Sequence, residues 1–258
     1  STIGLGTLTS LGGFSMSECS NLTEFIGFEN IELISGNFSI IECGQTPQNL
    51  SGFESVNFIG GDLIIDENNG MNSLEGLNNL RTLGGDLEIE DNLILEDIDA
   101  LINLSNVNGE IDISDNEELQ NLEGLTSLIS INGPIKIRNN ESLVSLSGLD
   151  NIDPSGITEL TILNSSILSS CSVNSICQYI TNSLGPNDID SNAEGCNSEI
   201  QITESCIGLN LHENNNLTNQ NSDLLKMIDV LGREHIEHQK GMILFYIYTN
   251  GKVIKRMK

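Results

Sequence analysis

The sequence is poor in aromatic, basic and histidine residues. Tryptophan is absent, aromatic residues make up 4% of the chain, and the 258 residues include 10 lysines and arginines and 3 histidines. With so few aromatic side chains, a core must be built from small branched residues used many times over, which favours a repeat protein over a compact globule. No apolar run approaches the roughly 18 residues that a membrane-spanning helix needs.

The scarcity of basic residues is uneven along the chain. Residues 1–223 contain 34 acidic residues and three basic ones, Arg81, Lys136 and Arg138, for a net charge of −31, whereas residues 224–258 contain seven basic and three acidic residues. Two segments of opposite charge habit are expected to be separate units. The acidic segment lacks the lysine and arginine clusters that neutralise phosphates, so we do not expect nucleic acid or anionic membranes as partners.

The residue sets that usually carry catalysis are incomplete in the acidic segment. His212, His235 and His238 are the three histidines, and they all follow the regular part of the sequence. His235 and His238 suit one metal ion, but no third ligand is spaced for it, so we interpret them as part of a solvated turn. No glycine-rich loop leads into a helix that would receive a phosphate. The sequence therefore predicts a protein that is not an enzyme.

What the sequence has in abundance is a 24-residue repeat. Segments that alternate apolar residues after a glycine begin at 61, 85, 109 and 133, and related segments at 36–40 and 158–162 continue the series at a spacing of 25. This alternation predicts a short strand with two inward side chains, and the leucines spaced by three that follow suit corners and turns. One repeat cannot bury its own apolar stripe, so neighbouring repeats must stack as parallel strands about 4.8 Å apart.

An asparagine recurs in step with the predicted strands, at Asn68, Asn92, Asn116 and Asn140. We expect this column inside a corner, where the side-chain amides satisfy backbone groups that the turn leaves free. A catalytic row of asparagines is the alternative, and we favour the structural role.

These repeats resemble leucine-rich repeats, and especially the receptor L domain, the leucine-rich β-helical module of insulin-receptor-like ectodomains. The resemblance covers about residues 20–166, and no repeat contains the long helix of the commonest leucine-rich pattern. It implies a mainly β fold: a right-handed parallel β-solenoid of leucine-rich repeats with disulfide caps, flat-sided rather than horseshoe-shaped, followed by a small antiparallel β tail.

Six cysteines lie outside the regular middle of the chain, at Cys19, Cys43, Cys171, Cys177, Cys196 and Cys206. An even number at the two ends of a repeat array indicates disulfide-bonded caps and an oxidising compartment, with six unpaired buried thiols as the alternative. Cys19 and Cys43 are one repeat apart, and the strand spacing suits bonded Cα atoms, so we predict a disulfide between them.

The C-terminal cap is predicted from a short helix and four cysteines. Val173, Ile176, Cys177 and Ile180 have the spacing of the apolar face of a helix. The segments 171–177 and 195–198 with Cys206 resemble a cap of secreted bacterial repeat proteins. Four cysteines allow three pairings, of which we choose Cys171 with Cys196 and Cys177 with Cys206.

The basic segment has the pattern of a small β-domain. Asn250-Gly251 between β-rich runs is a hairpin signal, so we predict two or three antiparallel strands. The segment also has a distinct set of motifs at 229–234, Gly241, 245–248, Gly251 and Lys252, with a basic end. In these residues it resembles the C-terminal sorting domain (type A) of type IX secretion cargo, although that domain usually runs longer than 35 residues.

The resemblance of the tail implies a location and a partner. It implies export by the type IX secretion machinery to the outer surface of a Gram-negative bacterium or into the medium, and we expect that any secretory leader has been removed from this sequence. An ordinary small β-domain is the alternative. The predicted organisation is a lead-in and cap over 1–20, leucine-rich repeats over 21–170, a disulfide-bonded cap over 171–207, a linker over 208–223 and the tail over 224–258.

Acidic residues form columns on the outward side of the predicted strands. The columns are Asp62, Asp86 and Glu110; Glu88 and Asp112; and Asp66 and Glu90. Stacked carboxylates repel one another and need solvent, counter-ions or a cationic partner, and Lys136 and Arg138 follow in the same columns. A solvated acidic face is one interpretation, and a binding site for a cation or a ligand is the other. No cofactor is expected, although calcium has suitable ligand preferences.

These features together predict a secreted binding or adhesion module with an unidentified protein or glycan ligand. The alternative is a β-helical polysaccharide lyase, for which Arg81, Lys136 and Arg138 are the candidate bases beside a carboxylate-held calcium. A surface-layer or ice-binding solenoid is disfavoured, since the outward columns are mixed in residue type.

Overall fold

A computed structural model describes residues 5–19, 21–44 and 47–213, and the strands that lie between 224 and 257. The chain divides into two compact units, Ser1–Glu199 and Ile200–Lys258. The described residues are mainly β-structure, as the sequence predicts. Among them, no helix is long and apolar enough to cross a membrane.

Most repeats of the first unit contribute two strands, a two-residue strand followed by a longer one. In chain order the strands are β1 (Ser10–Leu11), β2 (Phe14–Ser17), β3 (Leu33–Ile34), β4 (Phe38–Ile41), β5 (Phe58–Ile59), β6 (Leu63–Asp66), β7 (Thr82–Leu83), β8 (Leu87–Glu90), β9 (Asn106–Val107), β10 (Ile111–Ser114), β11 (Ser130–Ile131), β12 (Gly133–Arg138), β13 (Ile157–Leu163) and β14 (Asn187–Asp190). The short strands form a six-stranded parallel sheet and the longer ones an eight-stranded parallel sheet.

Helices are few and short. One-turn 3-10 helices span Leu5–Thr7, Asp99–Leu101, Glu123–Leu125, Ser147–Leu149 and Pro154–Gly156, and the α-helices are α1 (Asn174–Thr181) and α2 (Glu199–Glu213). Helix α1 confirms the short helix predicted for the cap, with Ile176 and Ile180 buried.

Strand pairing follows the 24-residue period. Ile89 pairs with Ile65 on one side and with Ile113 on the other, and all three side chains are fully buried. Each such side chain contributes about 1.5 to 3 kcal/mol by leaving water. The inward and outward register of the longer strands is therefore the predicted one.

A cluster of phenylalanines replaces branched aliphatic residues near the N-terminal end of the two sheets. The rings of Phe14 and Phe38 lie 4.9 Å from the ring of Phe53, and Phe25 and Phe28 lie 5.1 Å from it. Edge and stacked ring contacts at these distances stabilise packing beyond the area they bury. Five of the ten aromatic residues of the chain thus belong to one cluster.

The asparagine column is buried and hydrogen-bonded to the backbone on both sides. Asn92 Nδ2 donates to the carbonyl oxygens of Ile65 and Glu90 at 2.9 and 2.7 Å, and Asn92 Oδ1 accepts from the Asn68 amide at 3.1 Å. Asn116 makes the same set of bonds one repeat later. Each asparagine therefore binds its own turn to the preceding repeat, which confirms the structural role.

The repeat pattern extends further at both ends than the sequence indicates. Strands β1 and β2 lie in the predicted lead-in, and β14 lies in the predicted C-terminal cap, for which no strand was expected. The asparagine column continues through Ser165, whose hydroxyl accepts from the Asn140 amide at 3.2 Å, to Asn192. Residues outside the 24-residue spacing therefore take part in the same backbone pairing.

The second unit contains a small antiparallel sheet. Its strands are β15 (Leu224–Asp229), β16 (Glu234–His235), β17 (Ile243–Tyr248) and β18 (Val253–Met257), in the order β16-β15-β17-β18. The sheet has four strands, where the sequence predicts two or three, because the pair at Glu234–His235 is too short to show alternation. Helix α2 runs to Glu213 and so occupies the start of the predicted linker, and Asn250 and Gly251 lie outside the described residues.

Replacing an inward residue should cost far more than replacing its outward neighbour. Ile89→Ala leaves a cavity between two fully buried isoleucines and should lower the free energy of unfolding by about 2 to 5 kcal/mol. Glu88→Ala, one residue earlier, should be neutral or slightly stabilising, because like charges surround that side chain. Urea unfolding of both variants measures the difference, and equal losses would show that the register is shifted by one residue.

The buried asparagine column should be sensitive to loss of a single amide. Asn92→Ala leaves two carbonyl oxygens and one amide without their partner and should cost about 2 to 4 kcal/mol. Asn103→Ala is the matched control, since Asn103 Nδ2 donates to the Asn78 carbonyl at 2.7 Å on the exposed surface, where water can replace it. A loss for Asn103→Ala as large as that for Asn92→Ala would contradict the role of burial.

Candidate functional site

The outward side of the eight-stranded sheet carries the predicted acidic columns. Glu88 is aligned with Asp112, and Glu90 with Asp66. Lys136 follows Asp112 in the first column, and Arg138 follows Ser114, the successor of Glu90, in the second. We call the seven predicted carboxylates the acidic face: Asp62, Asp66, Asp86, Glu88, Glu90, Glu110 and Asp112.

In one column of the acidic face, aspartate side chains accept hydrogen bonds from backbone amides of the next repeat. Asp62 Oδ1 accepts from the Asp86 amide at 2.9 Å, and Asp86 Oδ1 accepts from the Glu110 amide at 2.7 Å. A Cβ at Gly85 would lie 2.0 Å from Asp62 Oδ1, so the glycine before each acidic residue makes room for the carboxylate of the preceding repeat. The recurring glycine-acid pair is a signal for this ladder that the sequence reasoning missed.

The carboxylate ladder ends at Pro134. Proline has no amide hydrogen, so the Glu110 carboxylate cannot be used as those of Asp62 and Asp86 are. The Lys136 Nζ lies 2.5 Å from Glu110 Oε1 instead. This hydrogen bond raises the pKa of Lys136. Because residue 134 is a proline, the Glu110 carboxylate binds the Lys136 ammonium group where the earlier carboxylates of the column bind a backbone amide.

The Arg138 guanidinium contacts the side chains of three residues of the face, Asp112, Ser114 and Glu90. Its Nη2 lies 2.6 Å from Asp112 Oδ2 and 3.7 Å from Glu90 Oε1, and its Nε donates to Ser114 Oγ at 3.1 Å. Ser114 Oγ also donates to Asp112 Oδ1. Asp112 is 5% exposed and Ser114 is 1% exposed. Asp112 thus points outward in register but is covered by its neighbours, unlike the solvated carboxylate that the sequence suggests.

Three carboxyl groups of the face have a raised pKa: Asp66, Glu88 and Glu90. The pKa of Glu90 is raised to about 7, first by burial and then by the Asp112 carboxylate, against the opposing effect of Arg138. Burial, then Asp86 and the other carboxylates around it, raise the pKa of Glu88. Repulsion from neighbouring carboxylates thus contributes to both raised pKa values, and Arg138 offsets it only in part at Glu90.

A further acidic column, at the corner directly after the longer strands, was not found from the sequence. Its residues have a left-handed backbone with φ between 53° and 57°, and they are Glu18, Glu42, Glu67, Asp91 and Asp115. Burial, then Glu67, Asp91 and Glu42, raise the pKa of Asp66, so the corner column acts on the acidic face. Each member directly precedes a residue of the asparagine column or its cysteine equivalents, which is the signal that the sequence offered.

The remaining candidate residues that the structure describes belong to other elements than the strands of the acidic face. Arg81 lies directly before strand β7 of the other sheet. His212 and His235 lie in α2 and β16 of the second unit, and His238 lies outside the described residues. Within the described ranges, no group of three or more histidine, cysteine or acidic side chains is placed to hold a metal ion.

Of the predicted disulfides, the structure contains Cys171–Cys196, with 5.5 Å between the Cα atoms. Cys177 and Cys206 are also disulfide-bonded, and the sulfur that each one binds stays a prediction. Cys19 and Cys43 have free thiols in this structure, so the bond predicted between them is not formed in it. Their thiols take up hydrogen bonds that asparagines make in the following repeats, so the column is continuous without a disulfide.

Comparison with known proteins adds no family to these observations. No protein-family model matches the chain, and searches of curated proteins and of solved structures find no significant match.

The raised pKa of Glu90 makes stability depend on pH. Because the folded protein binds this proton more tightly than the unfolded chain, the stabilisation is present below the unfolded value of 4.5 and is lost as pH rises through about 7. Relative to Glu90→Gln, the natural protein should lose about 1 kcal/mol over this range, after allowance for solvent screening at a partly exposed group. Urea unfolding at several pH values measures the difference. Glu118→Gln, at an exposed position outside the face, is the control, and a pH-independent difference for Glu90→Gln would contradict the assignment.

Proposed function

We propose that the protein is a secreted, non-enzymatic binding or adhesion module whose repeats form a disulfide-capped parallel β-solenoid of the receptor L domain type. The proposal for the fold is supported by two parallel sheets with the same strand order and by buried amides that link each repeat to the one before it. A solenoid offers a broad and rigid surface made of individual outward side chains. Such a surface suits binding.

Charge on the acidic face is the observation that carries the proposed binding function. Among the described residues, the three ion pairs all involve Lys136 or Arg138, at one side of the face. The charged groups that raise the pKa values of Asp66 and Glu88 are all carboxylates. Those acting on Asp66 include Glu67 and Asp91 of the corner column. A ligand with positive groups would relieve the repulsion, so we propose a basic surface on a protein or a cationic glycan.

The lyase alternative has less support. A base in such an enzyme faces a carboxylate-held calcium ion, with its nitrogen free to take a proton from the substrate. The Lys136 and Arg138 nitrogens instead lie 2.5 and 2.6 Å from carboxylate oxygens. The arrangement resembles internal charge compensation, and we propose no catalytic step.

Binding can be tested with the full chain on protein and glycan arrays. Binding of the protein to the array proteins or glycans that it recognises should weaken as NaCl is raised from 50 to 300 mM, because salt screens exposed charges. Glu67→Gln combined with Glu88→Gln should weaken binding at least tenfold. Glu75→Gln combined with Glu96→Gln removes the same charge from exposed positions outside the face and should leave binding unchanged. Equal loss in both double variants, or no binding to any array member, would contradict the proposal.

We also propose export through the tail, on the resemblance of residues 224–258 to a type IX sorting domain. The disulfide Cys171–Cys196 supports an oxidising destination. Deletion of 224–258 should leave the thermal unfolding midpoint of the repeats within about 5 °C, since the buried core that the structure describes ends at Cys206.

The same deletion should retain the protein in the periplasm of a host with type IX machinery. Immunoblots of periplasm and medium measure the distribution. Normal export of the truncated chain, or a larger fall in midpoint, would contradict a sorting role.

A further inference from the structure

Cys19 and Cys43 occupy the first two positions of the asparagine column. The Cys43 amide donates to Asn68 Oδ1 at 3.2 Å, as the Asn68 amide does to Asn92 one repeat later. The Cys43 thiol donates to the Ile41 carbonyl, and Cys19 to the Ser17 carbonyl, each two residues earlier. The asparagines at this position use Nδ2 for the same bond, so two thiols stand where the column otherwise has amides.

These two thiols are neighbours. Residues 24 apart lie side by side on paired strands, and β2 pairs with β4 in the register that aligns Ser17 with Ile41, two residues before each cysteine. The Cys43 thiol is within hydrogen-bond reach of Cys19, and burial, before any effect of Cys19, raises its pKa. Cys171 and Cys196, 25 residues apart, show that side chains one repeat apart can be bonded in this protein.

The surroundings of the two sulfur atoms are unequal. Cys43 is fully buried, whereas Cys19 is partly exposed at the N-terminal edge of the sheet. A dissolved disulfide can therefore reach the sulfur of Cys19 before that of Cys43. Such asymmetry suits a pair in which one cysteine attacks and the other resolves.

We propose that Cys19 and Cys43 are a thiol–disulfide exchange site that takes a disulfide oxidant, with Cys19 as the attacking and Cys43 as the resolving residue. The Cys19 thiolate attacks one sulfur of the oxidant, which releases one thiolate and leaves a mixed disulfide. The Cys43 sulfur, after losing its proton to solvent, attacks the Cys19 sulfur and displaces the second thiolate. Two cysteine thiols are oxidised, and one disulfide is reduced to two thiols.

Exchange converts the N-terminal end of the repeat array between two states. The thiol state keeps the hydrogen bonds to the Ile41 and Ser17 carbonyls, whereas the disulfide state gives up both and links two neighbouring repeats covalently. Closing a loop of this length restricts the unfolded chain more than the lost thiol bonds cost. Its use as a lock that forms after export rests on the proposed function, but the exchange itself does not.

The exchange can be followed on the full chain with oxidised and reduced glutathione as the redox pair. Protein with free Cys19 and Cys43 and an intact Cys171–Cys196 bond should lose two hydrogens in mass on oxidation, and a proteolytic digest should contain a linked Cys19–Cys43 peptide. The thermal unfolding midpoint should rise by about 5 °C or more. Absence of the linked peptide, or a lower midpoint after oxidation, would overturn the proposal.

Two variants test the assigned roles. Cys43→Ser should trap glutathione on Cys19, whereas Cys19→Ser should accumulate at least tenfold less adduct on the buried Cys43. Equal adduct levels would overturn the order of attack.

Cys43→Asn is the matched control for folding, because it places in this repeat the residue that the following repeats use. It should fold with an unchanged midpoint in reduced glutathione and show no shift on oxidation. A shift in Cys43→Asn as large as that of the natural protein would assign the effect to other cysteines and overturn the proposal.

Discussion

Every repeat of this protein must turn a corner without leaving backbone groups unsatisfied inside an apolar stack. The asparagine column solves this problem, because one planar amide accepts from the amide of the preceding repeat and donates to two carbonyl oxygens. These bonds fix the distance and the register between neighbours, and the buried isoleucines can then align. The strands, the outward columns and the position of the cysteines all depend on that bonded corner.

The sequence predicts those parts of the fold whose residues repeat with a clear period. The alternation around Ile89 and the spacing of Asn92 identify the longer strands, their inward faces and the buried column. The second strand of each repeat is harder to predict, since two residues such as Thr82 and Leu83 cannot show an alternation. Strand β14 was missed because Asn187 and Asp188 are typical of loops, and its backbone pairing with β13 decides the structure instead.

The candidate site shows a similar division. Alignment of Glu88 with Asp112 follows from spacing alone, so the columns could be predicted, but spacing does not say what a carboxylate bonds. Asp62 is bound to a backbone amide, and Asp112 is covered and paired with Arg138. The bond of Asp62 depends on the space left by the glycine of the next repeat, and that of Asp112 depends on the reach of the Arg138 side chain. The corner column was recognised from its left-handed backbone, although each member directly precedes the asparagine column or its cysteines in the sequence.

The ladder from Asp62 to Glu110 also bears on how the array changes in length during evolution. A block of 24 residues from Gly85 to Asn108 contains one glycine, one bridging carboxylate and one buried asparagine, so a duplicated copy meets the same partners before and after it. The block that begins at Gly133 differs, since Pro134 offers no amide to the carboxylate before it. A duplicate of the block from Gly85 to Asn108 would therefore keep the hydrogen-bond ladder unbroken, and the proline marks the repeat at which the ladder stops.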